Sequence, residues 1–379
     1  MPTAKEAAHG AVVFDRKGLD ALFKAVRSKG WRLLGPRVAD DAVIYDDIDS
    51  TKDLPEGVGD EQRGGHYRLK ARGDKALFGY TSGAQGWKRF LYPPRQKLFS
   101  ASRTQSGFAV DPPAPDPQPL ALVGVRACEL AAIQVQAKVF GDKDFADPGY
   151  QGRLKTALVV AVECASAGDT CFCASMGTGP DVKAGYDIKL SELASKDGTV
   201  FVAQAGTDRG AKLLKAAKLD DKASKAQLDQ AAKQVKAAAT QSKSMTVETA
   251  AALKTQPEHP RWDQVAARCL TCGNCTMVCP TCFCTTVEDV TDLKGDHAER
   301  WRKWDSCFTV DFSYIHGGAI RTEVKSRYRQ WITHKLSTWH DQFGQAGCVG
   351  CGRCVTWCPV GIDITEEVQA IHDSTKGRK

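Results

Sequence analysis

The chain has 379 residues, 42% of them apolar and 26% charged, with a formal charge of +7 and fifteen cysteines. That length accommodates two or more domains, and the mild, scattered charge, with no run of five Lys/Arg, excludes a nucleic-acid-binding class. No stretch reaches the ~18 apolar residues of a membrane span, and MPTAKEAAHGAVVFDRKG lacks the apolar centre of a signal peptide, so a cytoplasmic chain is expected.

Taken in chain order, the sequence divides into four regions with an α+β class overall. Residues 1–110 read as an N-terminal α+β region. Leu19, Leu22, Phe23 and Val26 recur at helical spacing and Gly30 follows as a C-terminal stop. AVIYDDI (42–48) and HYRLKAR (66–72) read as strands, WKRFLYPPRQKLF (87–99) contains a di-proline turn, and DPPAPDPQP (111–119) reads as a linker. Residues 120–210 alternate strand and helix: ALVGV (121–125), CELAAIQVQAKVF (128–140), TALVVAVE (156–163) and TVFVAQA (199–205) predict an α/β domain with a mixed, partly parallel sheet. Residues 211–257 are rich in Ala, Lys and Gln and predict a linker of one or two exposed helices. Residues 258–379 carry two dense cysteine runs. Between the runs lies a long aromatic and basic stretch, ERWRKWDSCFTVDFSYIHGG onward, with a mostly helical pattern.

The two runs have one spacing. Cys269, Cys272, Cys275 and Cys279 are followed by Pro280; Cys348, Cys351, Cys354 and Cys358 are followed by Pro359. A cubane [4Fe–4S] cluster needs four thiolates at tetrahedral corners. Two-residue gaps let one tight loop supply three, and the fourth cysteine of each run ligates the other cluster. One cluster therefore takes Cys269, Cys272, Cys275 and Cys358, and the other takes Cys348, Cys351, Cys354 and Cys279. Zinc fits less well, because zinc sites use CxxC pairs across a long gap. Reduced cytosolic thiols at this density, odd in number, also argue for metal over disulfides. The stretch between the runs is then a helical insertion in a mostly helical, ferredoxin-like dicluster domain. Cys282, Cys284 and Cys307 read as buried or supporting thiols and His316 as a packed side chain, with ligation as the alternative for each of the four.

A third constellation follows from the α/β region. Cys128 ends one expected strand, Cys164 ends the next, and Cys171 and Cys173 lie in the loop beyond. Strand ends in such a layer share one edge, where these folds place ligands. Four thiols there suit a third [4Fe–4S] site, with a zinc site or a redox thiol pair as alternatives. SMGTGP, after Cys173, lacks both the Walker lysine and GxGxxG, so a nucleotide site is not expected.

WKRFLYPPRQKLF, GVRACELAAIQVQAKVF, CASAGDTCFCASMGTGP, CLTCGNCTMVCPTCFC and CVGCGRCVTWCPVGID together resemble the iron–sulfur beta subunit of soluble NiFe hydrogenases of the sulfhydrogenase type, and also the corresponding iron–sulfur subunit of anaerobic sulfite reductase. The resemblance spans most of residues 75–375. It implies an electron relay working between an FAD/[2Fe–2S] subunit that handles NAD(P)H and a catalytic partner. That partner is the small and large subunits of a NiFe hydrogenase or a sirohaem sulfite reductase subunit. The family pattern includes Cys128, Cys164, Cys171 and Cys173 as ligands of the third cluster. Before TCFC this chain has ASAGD, where the resemblance leads one to expect a proline, which bears on loop shape.

No Ser/His/Asp arrangement, paired catalytic carboxylates or NiFe-type CxxC pairs at both ends can be read from the sequence. The expected role is one-electron transfer with catalysis in a partner. A self-sufficient iron–sulfur reductase and a metal-binding scaffold or redox sensor are the competing classes.

Overall fold

The computed structural model describes residues 10–113, 118–142, 144–196 and 198–376. The middle of the expected proline-rich linker, 114–117, and residues 1–9 lie outside the described residues.

β1 (Val12–Asp15) leads into α1 (Arg16–Ser28), whose start is capped by the Asp15 carboxylate accepting from the Gly18 N–H at 3.0 Å. β2 (Arg32–Ala39) and β3 (Ala42–Asp47) pair antiparallel. β4 (Val58–Arg63) and β5 (His66–Ala71) form a separate hairpin. A short α2 (Lys88–Leu91) precedes the di-proline, and β6 (Arg95–Thr104) and β7 (Gly107–Asp111) follow it. The next region contributes β8 (Leu120–Val125), α3 (Ala127–Phe140), α4 (Pro148–Thr156), β9 (Leu158–Val162), β10 (Ile188–Ala194) and β11 (Thr199–Ala205).

One seven-stranded sheet runs β1-β11-β10-β9-β8-β2-β3, and so draws strands from both regions. Its four central strands, β10, β9, β8 and β2, pair parallel, and both edges are antiparallel. Alternate residues of the central strands feed two cores. Val123, Leu158, Val160 and Val162 pack with Leu22 and Phe23 of α1; Leu122, Val159 and Ala161 pack with Leu130, Ile133 and Tyr150 on the other side. Burial on both faces is what makes β8 and β9 continuous apolar runs.

The linker forms three helices where one or two exposed ones were expected: α5 (Asp208–Ala216), α6 (Lys225–Ala238) and α7 (Val247–Thr255). Each begins at a hydroxyl cap, Thr207, Ser224 or Thr246. α5 buries Leu213 and Leu214, and α7 buries Ala250 and Leu253, whereas α6 buries only the small Ala231 and Ala238 and is the most exposed of the three.

The last region holds α8 (Arg261–Ala266), α9 (Asn274–Met277), β12 (Thr285–Thr291), β13 (His297–Trp304), α10 (Val324–Thr333), α11 (Trp339–Phe343), α12 (Arg353–Thr356) and α13 (Ile364–Lys376). A π-helical turn, His334–Thr338, joins α10 to α11. Helices surround a core of Trp262, Phe308, Tyr328, Trp331 and Val368. The first part of the insertion differs from its helical reading: β12 and β13 form a hairpin that extends β6 and β7 into a second four-stranded sheet.

The dicluster region is bound to the α/β layer through buried polar contacts. Arg353 of α12 donates to the Glu129 carboxylate of α3 at 2.7 Å and to the Gly83 carbonyl at 2.8 Å, and the pair is 0% and 1% exposed. Thr356 and Thr170 both donate to the Gln62 amide oxygen, at 2.9 and 3.2 Å.

Candidate metal centres

The two runs adopt one local design. After α8, the chain turns at Thr271 (φ 51°) and Gly273 (φ 69°), then presents Cys275 on α9. The second run turns at Gly350 (φ 64°) and Gly352 (φ 75°), then presents Cys354 on α12. These left-handed turns leave main-chain N–H groups free for sulfur: Thr271 to Cys269 and Gly350 to Cys348, both at 3.4 Å. Ile362 donates to Cys358 at 3.3 Å. α9 and α12 pack together, and this brings the fourth cysteine of each run to the first three of the other.

Cys269, Cys272, Cys275 and Cys358 line one cavity, backed by Phe308, Tyr328 and Trp331 and open to solvent at Cys272. Cys354 is acted on by Cys348, Cys351 and Cys279, and then by Cys275 of the first set. Burial pushes the Cys275 and Cys354 thiols well up, and lifts Cys348 to about 12. Without a cation these sulfurs stay protonated; a bound metal reverses that preference by supplying the positive charge.

The four thiols of the α/β region also gather. Cys128 sits in the first turn of α3 at the end of β8, Cys164 follows β9, and Cys171 and Cys173 lie in the loop beyond. This is the carboxyl edge of the parallel strands. Cys171 is acted on by Cys173 and Cys164, and Cys128 by Cys173. Burial raises all four, Cys173 to about 11, where a hydrogen bond from the Gln241 amide at 3.3 Å works the other way. This set adjoins the second run: Cys351 acts on Cys128, Cys171 and Cys173, and Phe172 N–H donates to the Gly350 carbonyl at 2.8 Å. A Cβ at Gly350 would stand 2.7 Å from Phe172, and one at Gly352 would stand 2.3 Å from the Thr170 carbonyl. Only glycine permits that approach.

Buried cations surround the sulfurs. Lys335, in the π turn, has no carboxylate partner among the described residues. It donates to the Thr281 hydroxyl at 2.9 Å and the Gly347 carbonyl at 3.1 Å, and touches the Cys279 thiol. Arg126 lies beside Cys164, and Arg353 beside Cys351 and Cys128; each is fully buried with one N–H unpartnered. Buried cations need anions, and neutral thiols do not supply them. Twelve thiols in three sets, beside Lys335 and Arg126 that have no carboxylate partner among the described residues and Arg353 that shares Glu129, fit anionic iron–sulfur clusters.

Lys335, Arg126, Arg353 and Gln241 carry no sequence signal. A lysine in WITHKLSTW has the pattern of an exposed helical position; only the π turn directs it inward. His316 is exposed at the tip of a two-residue ladder between Tyr314–Ile315 and Gly318–Ala319. Cys282, Cys284 and Cys307 lie together between Cys279 and Cys275.

Residues 268–362 match the family model described as a 4Fe-4S dicluster domain. The chain is similar to Sulfhydrogenase 2 subunit beta of Pyrococcus furiosus, at 30% identity over 304 residues, which covers 79% of this chain and 86% of that protein. No solved structure matches significantly.

Proposed function

We propose an electron-relay mechanism from the premise that this chain belongs to the sulfhydrogenase beta-subunit family and is an iron–sulfur electron-transfer subunit. Cys269, Cys272, Cys275 and Cys358 hold one [4Fe–4S] cluster, Cys348, Cys351, Cys354 and Cys279 a second, and Cys128, Cys164, Cys171 and Cys173 a third. A bound cluster of this type supplies reversible one-electron oxidation and reduction.

The observation that carries the reading is the order of the thiol sets. Cys275 and Cys354 join the first set to the second, and Cys351 joins the second to the third. Three adjacent sites in series suit a conduit, whereas a lone structural metal needs no neighbours. The protein's own groups set the conditions. Main-chain N–H groups at Thr271, Gly350 and Ile362 donate to sulfur, and Lys335, Arg126 and Arg353 neutralise negative charge in a dry interior. Aromatic rings at Phe308, Tyr328 and Trp331 cover the inner side of the first set, whose Cys272 is exposed at the surface.

The partners are a flavin- and [2Fe–2S]-bearing subunit that handles NAD(P)H, together with the small and large subunits of a NiFe hydrogenase; the hydrogenase name of the relative favours these over a sirohaem protein. No helix among the described residues is long and apolar enough to cross a membrane, and we assign the complex to the cytoplasm. Two experiments test this. Reductive titration of the anaerobic chain, followed by electron paramagnetic resonance, should show reversible uptake of at least about three electrons per chain, one per cluster; bound flavin in the isolated chain, or no reversible reduction, would refute it. The native complex isolated through a tag on this chain should contain nickel and flavin, and sirohaem without nickel would refute the hydrogenase assignment.

A further inference from the structure

Twelve thiols fill the three sets, and three remain: Cys282, Cys284 and Cys307. They meet at one place. The Cys284 and Cys307 thiols are in hydrogen-bond contact, and the Cys307 main-chain N–H also donates to the Cys284 sulfur. Cys282 acts on Cys307 and touches Cys279. The fold builds this convergence. β12 and β13 pair Thr285 with Trp304, and Asp305 N–H continues the ladder to the Cys284 carbonyl at 2.9 Å, so the base of the hairpin brings Cys307 back beside Cys284. The sequence repeats as well: Thr281–Cys284 reads TCFC, as does Thr170–Cys173, whose thiols gather with Cys128 and Cys164.

A second, independent observation points to an anion here. Lys88 is 5% exposed and has no carboxylate partner among the described residues. Its ammonium donates to the Cys282 carbonyl at 3.1 Å and lies 3.7 Å from the centroid of the Trp304 ring. Three buried free thiols would need no such charge; thiolates on a metal would.

We propose that Cys282, Cys284 and Cys307 hold a fourth iron–sulfur centre, tri-thiolate in its protein ligands, with Lys88 as its counter-charge. It rests on the relay reading only in that the other twelve thiols are already committed. It stands against Cys279, beside the second set, and would branch the relay towards the face carrying the β12–β13 hairpin.

The test uses the full chain purified anaerobically, with iron, sulfide and zinc counted per chain. Wild type is compared with Cys284→Ala, Cys307→Ala and, as a reference, Cys171→Ala. The proposal expects Cys284→Ala and Cys307→Ala each to lower iron and sulfide by about three to four per chain. That loss must add to the loss in Cys171→Ala when the substitutions are combined. Wild type serves where a variant fails to fold: more than about twelve irons per chain supports a fourth centre. Unchanged iron in both variants overturns it even if the three-centre count stands. A Cys284–Cys307 disulfide in the anaerobic wild type, or zinc lost from the variants in place of iron, also overturns it. Loss confined to Cys171→Ala sinks this proposal and leaves the relay reading standing; no loss in Cys171→Ala with loss in the other two does the reverse for the third set.

Discussion

Replacing Glu129 by Gln keeps the shape of the side chain and removes the only carboxylate that faces Arg353 among the described residues. The guanidinium is fully buried. Its other partners are the Gly83 and Gln85 carbonyls, at 2.8 and 3.2 Å, and one N–H has no partner. At an effective dielectric of about 20, two unit charges some 4 Å apart interact by about 4 kcal/mol, and breaking a buried pair from one side typically costs about 3–5 kcal/mol. The Cys351 sulfur beside Arg353 shares the charge once a metal makes it a thiolate, so the holo chain should lose about 3 kcal/mol and the metal-free chain more. Because Arg353 lies in the second cysteine run and Glu129 follows Cys128, the loss should appear where the dicluster region meets α3. Guanidinium unfolding of the anaerobic holo chain, followed by far-ultraviolet circular dichroism and by cluster absorbance, measures it. Glu129→Gln should shift both midpoints down, with absorbance leading. Adding Arg353→Met should restore more than half of the loss, since a neutral pair no longer carries an unpaired buried charge. A loss under about 1 kcal/mol, the range of exposed pairs, or simple additivity in the double variant, would refute the reasoning.

Gly352→Ala forces a side chain to φ 75° and to within 2.3 Å of the Thr170 carbonyl. The left-handed backbone alone costs roughly 1–2 kcal/mol, and the clash should part the TCFC loop from the second run, measured as iron lost from both sets. Lys335→Met removes an ammonium that touches Cys279. Loss of one nearby positive charge disfavours the reduced state, so one midpoint potential should fall by about 100 mV in a redox titration; an unchanged potential would mean that the ammonium does not sense the second site. Glu192, buried under Leu77 and Phe78, whose N–H groups it accepts at 2.6 and 2.9 Å, is lifted to about 6 by burial. A carboxyl raised in the folded state binds its proton more tightly there than in the unfolded chain. It therefore stabilises below the ordinary carboxylate range, and that contribution is lost as pH rises to about 6, a change of about 2 kcal/mol. Glu192→Gln should remove this component from the pH profile of unfolding, seen as the difference between the two chains; superimposable profiles would refute it.

The parts of the site that sequence makes legible are those where chemistry constrains spacing. Two-residue gaps and the proline after each run follow from wrapping a loop around a cubane, and the apolar runs at 121–125 and 156–163 follow from burial on both faces. The hairpin of β12 and β13 was hidden because its sheet face is not apolar. Trp301 is covered by Arg95, 4.1 Å from the ring centroid, so the strand alternates aromatic and basic residues and imitates a polar helix. The third linker helix had a signal, Thr246 capping the Thr249 N–H, but alanine-rich composition blurs where one helix ends and another begins. The cations could not be read at all. Lys88, Lys335 and Arg126 are ordinary letters until the fold buries them beside sulfur.

The central claim is that three thiol sets each hold a four-iron cluster. The direct measurement is iron, sulfide and zinc per chain on anaerobic protein, in wild type and in three paired variants: Cys272→Ala with Cys275→Ala, Cys351→Ala with Cys354→Ala, and Cys171→Ala with Cys173→Ala. The account predicts that each pair lowers iron and sulfide by about four per chain and leaves zinc at zero. Zinc in place of iron, or a pair that leaves the iron count unchanged, would contradict it.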